Sequence, residues 1–297
     1  MQCSKCRKTA VLFQEYSGQH LCSQHFEADV EAKAKHEIRR HQWMDPGDHI
    51  AVALSGDSCS SALLYFLKKL TANRRDIRIS AITVDEGIAG YSCQEGASRI
   101  AELLHTDFLK GSFQENFGMT LDEISRTKGT LSCIYCRVLR NFLLNQIARD
   151  HGITKLAFAS TLDEQAESVL MNVLRGSPDI LVRSGLPVRG KIPRIFPLMA
   201  VPKKEVELYA GFHIKGYNRS RCPYNNKRFE GDVRVMLNEF TIRHLATKYA
   251  LLNLEKNLAG ACVSMTDSFS SCERCGEPGD GLCRSCRIIS EVTGHGT

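Results

Sequence analysis

From residue 49 onward the chain alternates short apolar runs of strand length with stretches whose apolar residues recur at helical spacing, and this alternation restricts its fold most. It predicts strands at 49–54, 77–84, 106–110 and 154–159, and helices near 59–70, 94–105, 134–150, 163–175 and 203–212, with a further helix over 235–250. The expected class is α/β: a doubly wound parallel sheet, Rossmann-like, that binds ligands at the carboxyl ends of its strands. Three loops leave those ends: ALSGDSC (53–59), TVDEGIAGY (83–91) and FASTLDEQAESVL (158–170). All three are expected to face one crevice. The first leads from a strand into the helical run SALLYFLKKL, where backbone N–H groups and the positive helix end ordinarily receive a phosphate. Asp57 in its middle has the wrong charge for that task.

Both ends of the chain carry a different signal. Cys3-x-x-Cys6 precedes Cys22-x-x-His25, and Cys272-x-x-Cys275 precedes Cys283-x-x-Cys286. Each is a closed set of four ligands at the spacing of a tetrahedral zinc site, in a segment too poor in apolar residues to fold alone. Redox dithiols are the alternative. The start, MQCSKCRK, lacks the apolar centre of a signal peptide, no stretch has transmembrane length, and a cytoplasmic protein is expected. There, 13 cysteines mostly paired as C-x-x-C suggest metal ligands more than disulfides. The expected organisation is an N-terminal zinc knuckle (1–26), a linker helix (27–46), the α/β domain (47–255) and a C-terminal zinc ribbon (256–297). The net charge of +6 is modest, but it is unevenly spread. Between Arg183 and Arg234 lie twelve Lys and Arg, among them Arg183, Arg189, Lys203, Lys204, Lys215, Arg221, Lys227 and Arg228, against four acids, Glu205, Glu207, Glu230 and Asp232. A polyanion could settle there; a solvated basic surface is the plain alternative.

The phosphate-type loop, the paired knuckles and the run TLSCIYCRVLRNFLLNQIA with TKLAFASTLDEQAESVLMNVLRGS together resemble the PP-loop ATP pyrophosphatase superfamily, and within it the tRNA 2-thiouridine synthetases of the TtuA type. The resemblance spans almost the whole chain. It implies an enzyme that spends ATP and Mg²⁺ to adenylate the C2 oxygen of a tRNA uridine, which sulfur then replaces as AMP leaves. It also implies a third metal site: Cys133, Cys136 and Cys222 match the three cysteines that hold a [4Fe–4S] cluster with one iron left for incoming sulfide. Ordinary buried cysteines, or an iron-free persulfide pair of Cys136 and Cys222, are the other readings of these three.

The nucleotide motifs depart from the family pattern. SGGxDS is matched by Ser55, Gly56, Asp57, Ser58, Cys59 and Ser60, so the second glycine has become Asp57 and the aspartate Cys59. A carboxylate close to a triphosphate is repulsive by several kcal/mol at intermediate dielectric. GHNxDD is matched by Ala159, Ser160, Thr161, Leu162, Asp163 and Glu164, in which both acids persist and could hold Mg²⁺ or simply open a helix. Asp85, Glu86, Gly87 and Gly90 keep the family's loop. Three functions are therefore expected to compete: an ATP-dependent tRNA sulfurtransferase, a catalytically degenerate tRNA-binding or cluster-carrying subunit supporting an active paralogue, and a sulfur or iron–sulfur carrier without RNA. The expected partners are tRNA, a sulfur donor protein or sulfide, and a second subunit in a homodimer or heterodimer, with no membrane.

Overall fold

The computed structural model describes residues 1–129, 132–177, 181, 192–218, 222–224, 228–261, 272–275 and 281–293. An antiparallel hairpin, β1 (Leu12–Gln14) and β2 (Gln19–Leu21), opens the chain and leads through Cys22 into α1 (Ser23–Arg40). Then β3 (His49–Ala53), β4 (Arg78–Asp85), β5 (Asp107–Ser112), β6 (Lys155–Ala157) and β7 (Arg194–Ile195) form one parallel sheet in the order β5-β4-β3-β6-β7. From β3 the chain winds outward to β5 and then crosses back to β6 on the other side. The loops after β3 and β6 therefore part over a crevice, at a switch point of the kind that accommodates ligands in doubly wound sheets.

A central parallel strand is covered on both faces, and β3 is written for that: Ile50 and Val52 enter one core, Ala51 the other. The first core is closed by α1, α2 (Ser58–Thr71), α3 (Cys93–Leu103) and α8 (Lys203–His213). Phe26, Val30, Ala34 and Ile38, four residues apart along α1, are all buried in it. The helix expected as a linker is thus part of the main body. The second core is closed by α4 (Phe113–Phe117), α5 (Leu121–Lys128), α6 (Ser132–Asp150) and α11 (Arg284–Thr293), through Phe113, Ile124, Leu143 and Ile288. Outside the sheet, α9 (Arg228–Arg243) and α10 (Thr247–Ala261) pack on α7 (Leu162–Leu174).

The single helix expected over 235–250 is in fact two. The Thr247 hydroxyl and N–H both turn back onto the His244 carbonyl, at 2.7 and 3.0 Å, a local bond that competes with helix continuation. The N-terminal hairpin is fastened by buried polar groups. Gln14 and Tyr16 donate to Glu205 on α8 at 3.1 and 2.6 Å, and Lys33 bridges Glu205 to Asp29. Among the described residues no helix is long and apolar enough to cross a membrane.

Candidate functional site

The crevice has a volume of about 920 Å³ and runs from the loop after β6, across the start of α2, to the face of α6. Its first wall is the loop 54–57. Gly56 has φ +74°, and a Cβ there would stand 2.6 Å from the Ala97 nitrogen, so only glycine lets the loop lie against α3. Ser55 and Ser60 face each other with their hydroxyls 3.0 Å apart, and Ser58 begins α2. Asp57 is the N-cap of α2: its Oδ1 accepts from the N–H and the hydroxyl of Ser60, both at 2.8 Å. Sequence reasoning set this carboxylate against a triphosphate. It is instead turned onto the first turn of its own helix, occupying an N–H that a phosphate oxygen would use, while remaining exposed at the crevice wall. Behind it Cys59 is buried, and burial, with the nearby charges of Asp57 and Glu164, pushes its thiol up to about 12.

The loop after β6 separates its two acids. Asp163 is fully engaged, accepting from the Lys203 N–H and from Lys248 Nζ at 2.6 Å each. Glu164 lines the crevice, accepts from the Thr161 N–H at 3.3 Å and lies 3.6 Å from Lys203 Nζ; burial raises its pKa. After β4, Asp85 accepts from the Gly87 N–H at 3.0 Å, a turn that Gly87 permits because a Cβ would come within 2.7 Å of Thr120. Asp85 thus shapes the loop, while its neighbour Glu86 is the side chain that reaches the crevice.

At the far end Cys222 lines the crevice and packs on the core that holds Cys136, while Cys133 stands three residues before Cys136 on α6; the three sulfurs are not among the sets whose ligand atoms lie within 4.8 Å of one another. Cys133 Sγ donates to the Tyr224 carbonyl at 2.7 Å. Arg140, one turn beyond Cys136 on α6, forms an ion pair with buried Glu86 and donates to Cys136 Sγ at 3.4 Å. Burial pushes the Cys136 thiol up to about 11 against the pull of Arg140, and burial also raises Cys222. Three neighbouring thiols, one of them beside a permanent cation, are a donor set that suits a thiolate-ligated iron–sulfur cluster.

The terminal sets are assembled. Cys3, Cys6, Cys22 and His25 bring their ligand atoms within 4.8 Å of one another, as do Cys272, Cys275, Cys283 and Cys286. Cys6–Cys22 and Cys275–Cys283 are 3.7 and 3.6 Å apart between sulfurs, near the ~3.8 Å edge that a tetrahedron of ~2.3 Å Zn–S bonds requires. Among the described residues no disulfide joins any of these thiols.

In the basic segment, Arg234 forms a forked pair with Glu167 at 2.8 and 3.0 Å, and Lys203 turns into the crevice. Lys204 and Lys215 are exposed. Arg183, Arg189, Lys191, Arg219, Arg221 and Lys227 lie outside the described residues. Cys93 and Arg140 line the crevice and escaped sequence reasoning as site residues, while Glu86 and Lys203, which also line it, were read only as part of the family's loop and of the basic segment. Arg140 had a readable signal, its spacing of four from Cys136 on a helix.

Residues 26–227 match the model of the PP-loop domain, and residues 2–27 that of the N-terminal LIM domain of 2-thiouridine synthetase TtuA. The chain is 29% identical to the tRNA 2-thiolation protein NcsA of Haloferax volcanii, over 98% of this chain and 99% of that one. It is 32% identical to the cytoplasmic tRNA 2-thiolation protein 1 of Bos taurus, over 97% and 87%. The solved U34-tRNA thiolase NcsA of Methanococcus maripaludis, with its [4Fe–4S] cluster, superposes with a TM-score of 0.85 at 26% identity, covering 98% of this chain and 96% of that one.

Proposed function

Since the chain belongs to the PP-loop family of TtuA- and NcsA-type 2-thiouridine synthetases, we propose that it acts in tRNA 2-thiolation in the cytoplasm, replacing the C2 oxygen of a uridine with sulfur. The observation that supports this reading is Cys222 at one end of the crevice whose other end is the PP-loop, with Cys136 of α6 in the core that Cys222 packs on and Cys133 bonded to the Tyr224 carbonyl two residues from Cys222. These three thiols would hold the [4Fe–4S] cluster, which when bound supplies an iron able to carry sulfide from a donor protein or from solution. Arg140, anchored by Glu86, places positive charge against Cys136 and stabilises its thiolate form. At the other end the Ser55 and Ser60 hydroxyls and Lys203 are the groups that would meet phosphate, with Glu164 facing Mg²⁺. Each terminal four-ligand set would hold a structural zinc and form its own module around the α/β body. Exposed Lys204 and Lys215 would meet tRNA phosphates, and the working unit would be a dimer.

A second reading is favoured by one specific observation. Asp57 caps α2 where nucleotide phosphate would bind, which suits a subunit that carries the cluster and tRNA while an active paralogue performs adenylation. AMP release from ATP by the purified, cluster-loaded chain with tRNA and sulfide separates the two. Release that depends on tRNA and is lost in Cys222→Ala supports the enzyme; tRNA binding with no AMP release supports the subunit; neither tRNA binding nor AMP release refutes both.

A further inference from the structure

Cys222 belongs to a segment that touches both faces of the sheet. Tyr217 packs against the first core, Cys222 and Tyr224 against the second, and Tyr217, Asn218 and Cys222 all line the crevice. The chain is tied down on either side of Cys222. After it, the Tyr224 hydroxyl donates to Asp122 Oδ1 at 2.7 Å, and the Tyr224 carbonyl accepts from Cys133 Sγ at 2.7 Å. Asp122 Oδ2 accepts in turn from the Ala89 N–H at 2.9 Å, in the loop after β4. Before it, the Asn218 N–H donates to the Gly56 carbonyl at 2.7 Å, and Asn218 Nδ2 donates to the Ser92 carbonyl at 3.3 Å.

Gly56 is part of the phosphate-type loop, and Ser92 is the N-cap of α3, the helix on which that loop lies. The corner has no slack: a Cβ on Gly96 of α3 would stand 3.2 Å from Asn218 Cβ and 3.7 Å from Gly56 Cα. Backbones packed this closely transmit a displacement instead of absorbing it. The proposed reaction activates a uridine at the loop and delivers sulfur at the thiols, and a misplacement of about 1 Å between reacting groups can cost about a hundredfold in rate. We propose that Asn218 is a positioning residue, which holds Cys222 at its place among the cluster thiols by tying its segment to α3 and the phosphate-type loop; the inference rests on the cluster reading given above. Tyr224 fixes the same segment from the Cys133 side, so Cys222 is held from both directions.

The test uses the full chain, reconstituted anaerobically with iron and sulfide, as wild type, Asn218→Ala, Asn218→Asp and Asn218→His. Alanine removes the bond to Ser92, aspartate keeps the shape without the donor, and histidine restores an N–H of similar reach. A thiolate that strays from its iron opens that iron to a chelator, so the readout is the rate at which a chelator bleaches the cluster absorbance. The expected result is bleaching several-fold faster in Asn218→Ala and Asn218→Asp and near the wild-type rate in Asn218→His. Iron content and thermal unfolding before the chelator is added should be the same in all four. Equal bleaching in wild type, Asn218→Ala and Asn218→Asp overturns the proposal. Fast bleaching in Asn218→His as well overturns it too, because the donor is then not the tie. Faster bleaching that only accompanies a lowered unfolding temperature assigns Asn218 to the fold at large and likewise overturns it. Failure of the wild type itself to acquire a cluster overturns the reading beneath, a result none of the other outcomes can mimic.

Discussion

Replacing Asp57 with glycine should weaken the start of α2 slightly and strengthen nucleotide binding considerably. The carboxylate makes two 2.8 Å bonds to Ser60, and glycine is a tolerable N-cap, so the loss of stability should be a few tenths of a kcal/mol; Asp57→Ala should cost about 1 kcal/mol. The gain in binding has two parts. The Ser60 N–H is released to a phosphate oxygen, and a negative charge leaves the wall. Two unit charges 4 Å apart repel by about 1 kcal/mol in water and about 4 kcal/mol at the effective dielectric of a protein surface. Because Asp57 is exposed, the lower half of that range applies, which corresponds to a complex roughly fivefold to sixtyfold tighter. Adding Cys59→Asp should help only in the glycine background, since in the native loop the new carboxylate would be buried beside Asp57 and Glu164, whose charges already act on Cys59. A double-mutant cycle should show coupling of about 1 kcal/mol in favour of the pair. Calorimetric titration with ATP at saturating Mg²⁺, alongside thermal unfolding, measures both sides. ATP affinity equal in wild type and Asp57→Gly, within about twofold, would refute the argument, because it would show that the cap does not stand where phosphate binds.

Three further outcomes are expected. Glu37 on α1 is buried, which alone would raise its pKa, but hydrogen bonds from His41 and Lys256 outweigh burial and hold it down at about 2. A depressed carboxylate gives stability that is present above its unfolded pKa of 4.5 and lost as pH falls toward 2, so denaturant titrations should show Glu37→Gln flattening that acid loss by on the order of 2 kcal/mol. Stripping metal from the two proposed zinc sites with a chelator should unfold both terminal segments while the parallel sheet persists, with hydrogen exchange rising first in residues 2–22; protection unchanged by the chelator would contradict the closed four-ligand sets. Changing Lys204 and Lys215 together to alanine should weaken tRNA binding evenly across tRNA species and reduce the slope of log affinity against log salt by about one per residue, and an unaltered slope would place the RNA elsewhere.

The parallel sheet was legible because β3, β4 and β6 must be apolar on both faces, and such runs stand out in a sequence. The paired knuckles were legible because each set of four possible ligands falls into two pairs with two residues between the members, a spacing that stands out in a sequence. What stayed hidden obeys no period: β7 has two residues and α4 five, too few to display one. The break between α9 and α10 is marked only by the Thr247 hydroxyl and N–H turning back onto the His244 carbonyl. In the crevice, residue types could be read and directions could not. Asp57 and Asp163 look from sequence like groups aimed at a ligand, and each is held by backbone N–H groups, of α2 and α8, that appear only once the helices are placed. Cys93 and Arg140 lie 47 positions apart, and nothing local relates them before α3 and α6 flank the same opening.

The bonds from Gln14 and Tyr16 to Glu205 reach across 191 and 189 residues, which sets an order of assembly on the ribosome. At ordinary rates of synthesis the hairpin leaves the exit tunnel roughly 10–40 s before α8 does. A segment this small cannot wait folded on its apolar residues, and a metal ion on Cys3, Cys6, Cys22 and His25 would keep it in shape through that interval. When α8 emerges it meets a ready-made seat, and Glu205, whose charge would otherwise be stranded in the interior, is neutralised as it arrives. The same helix begins with Lys203 at the crevice. With a metal at that set, metal supply during translation would govern how promptly the nascent chain can complete the wall of its own site.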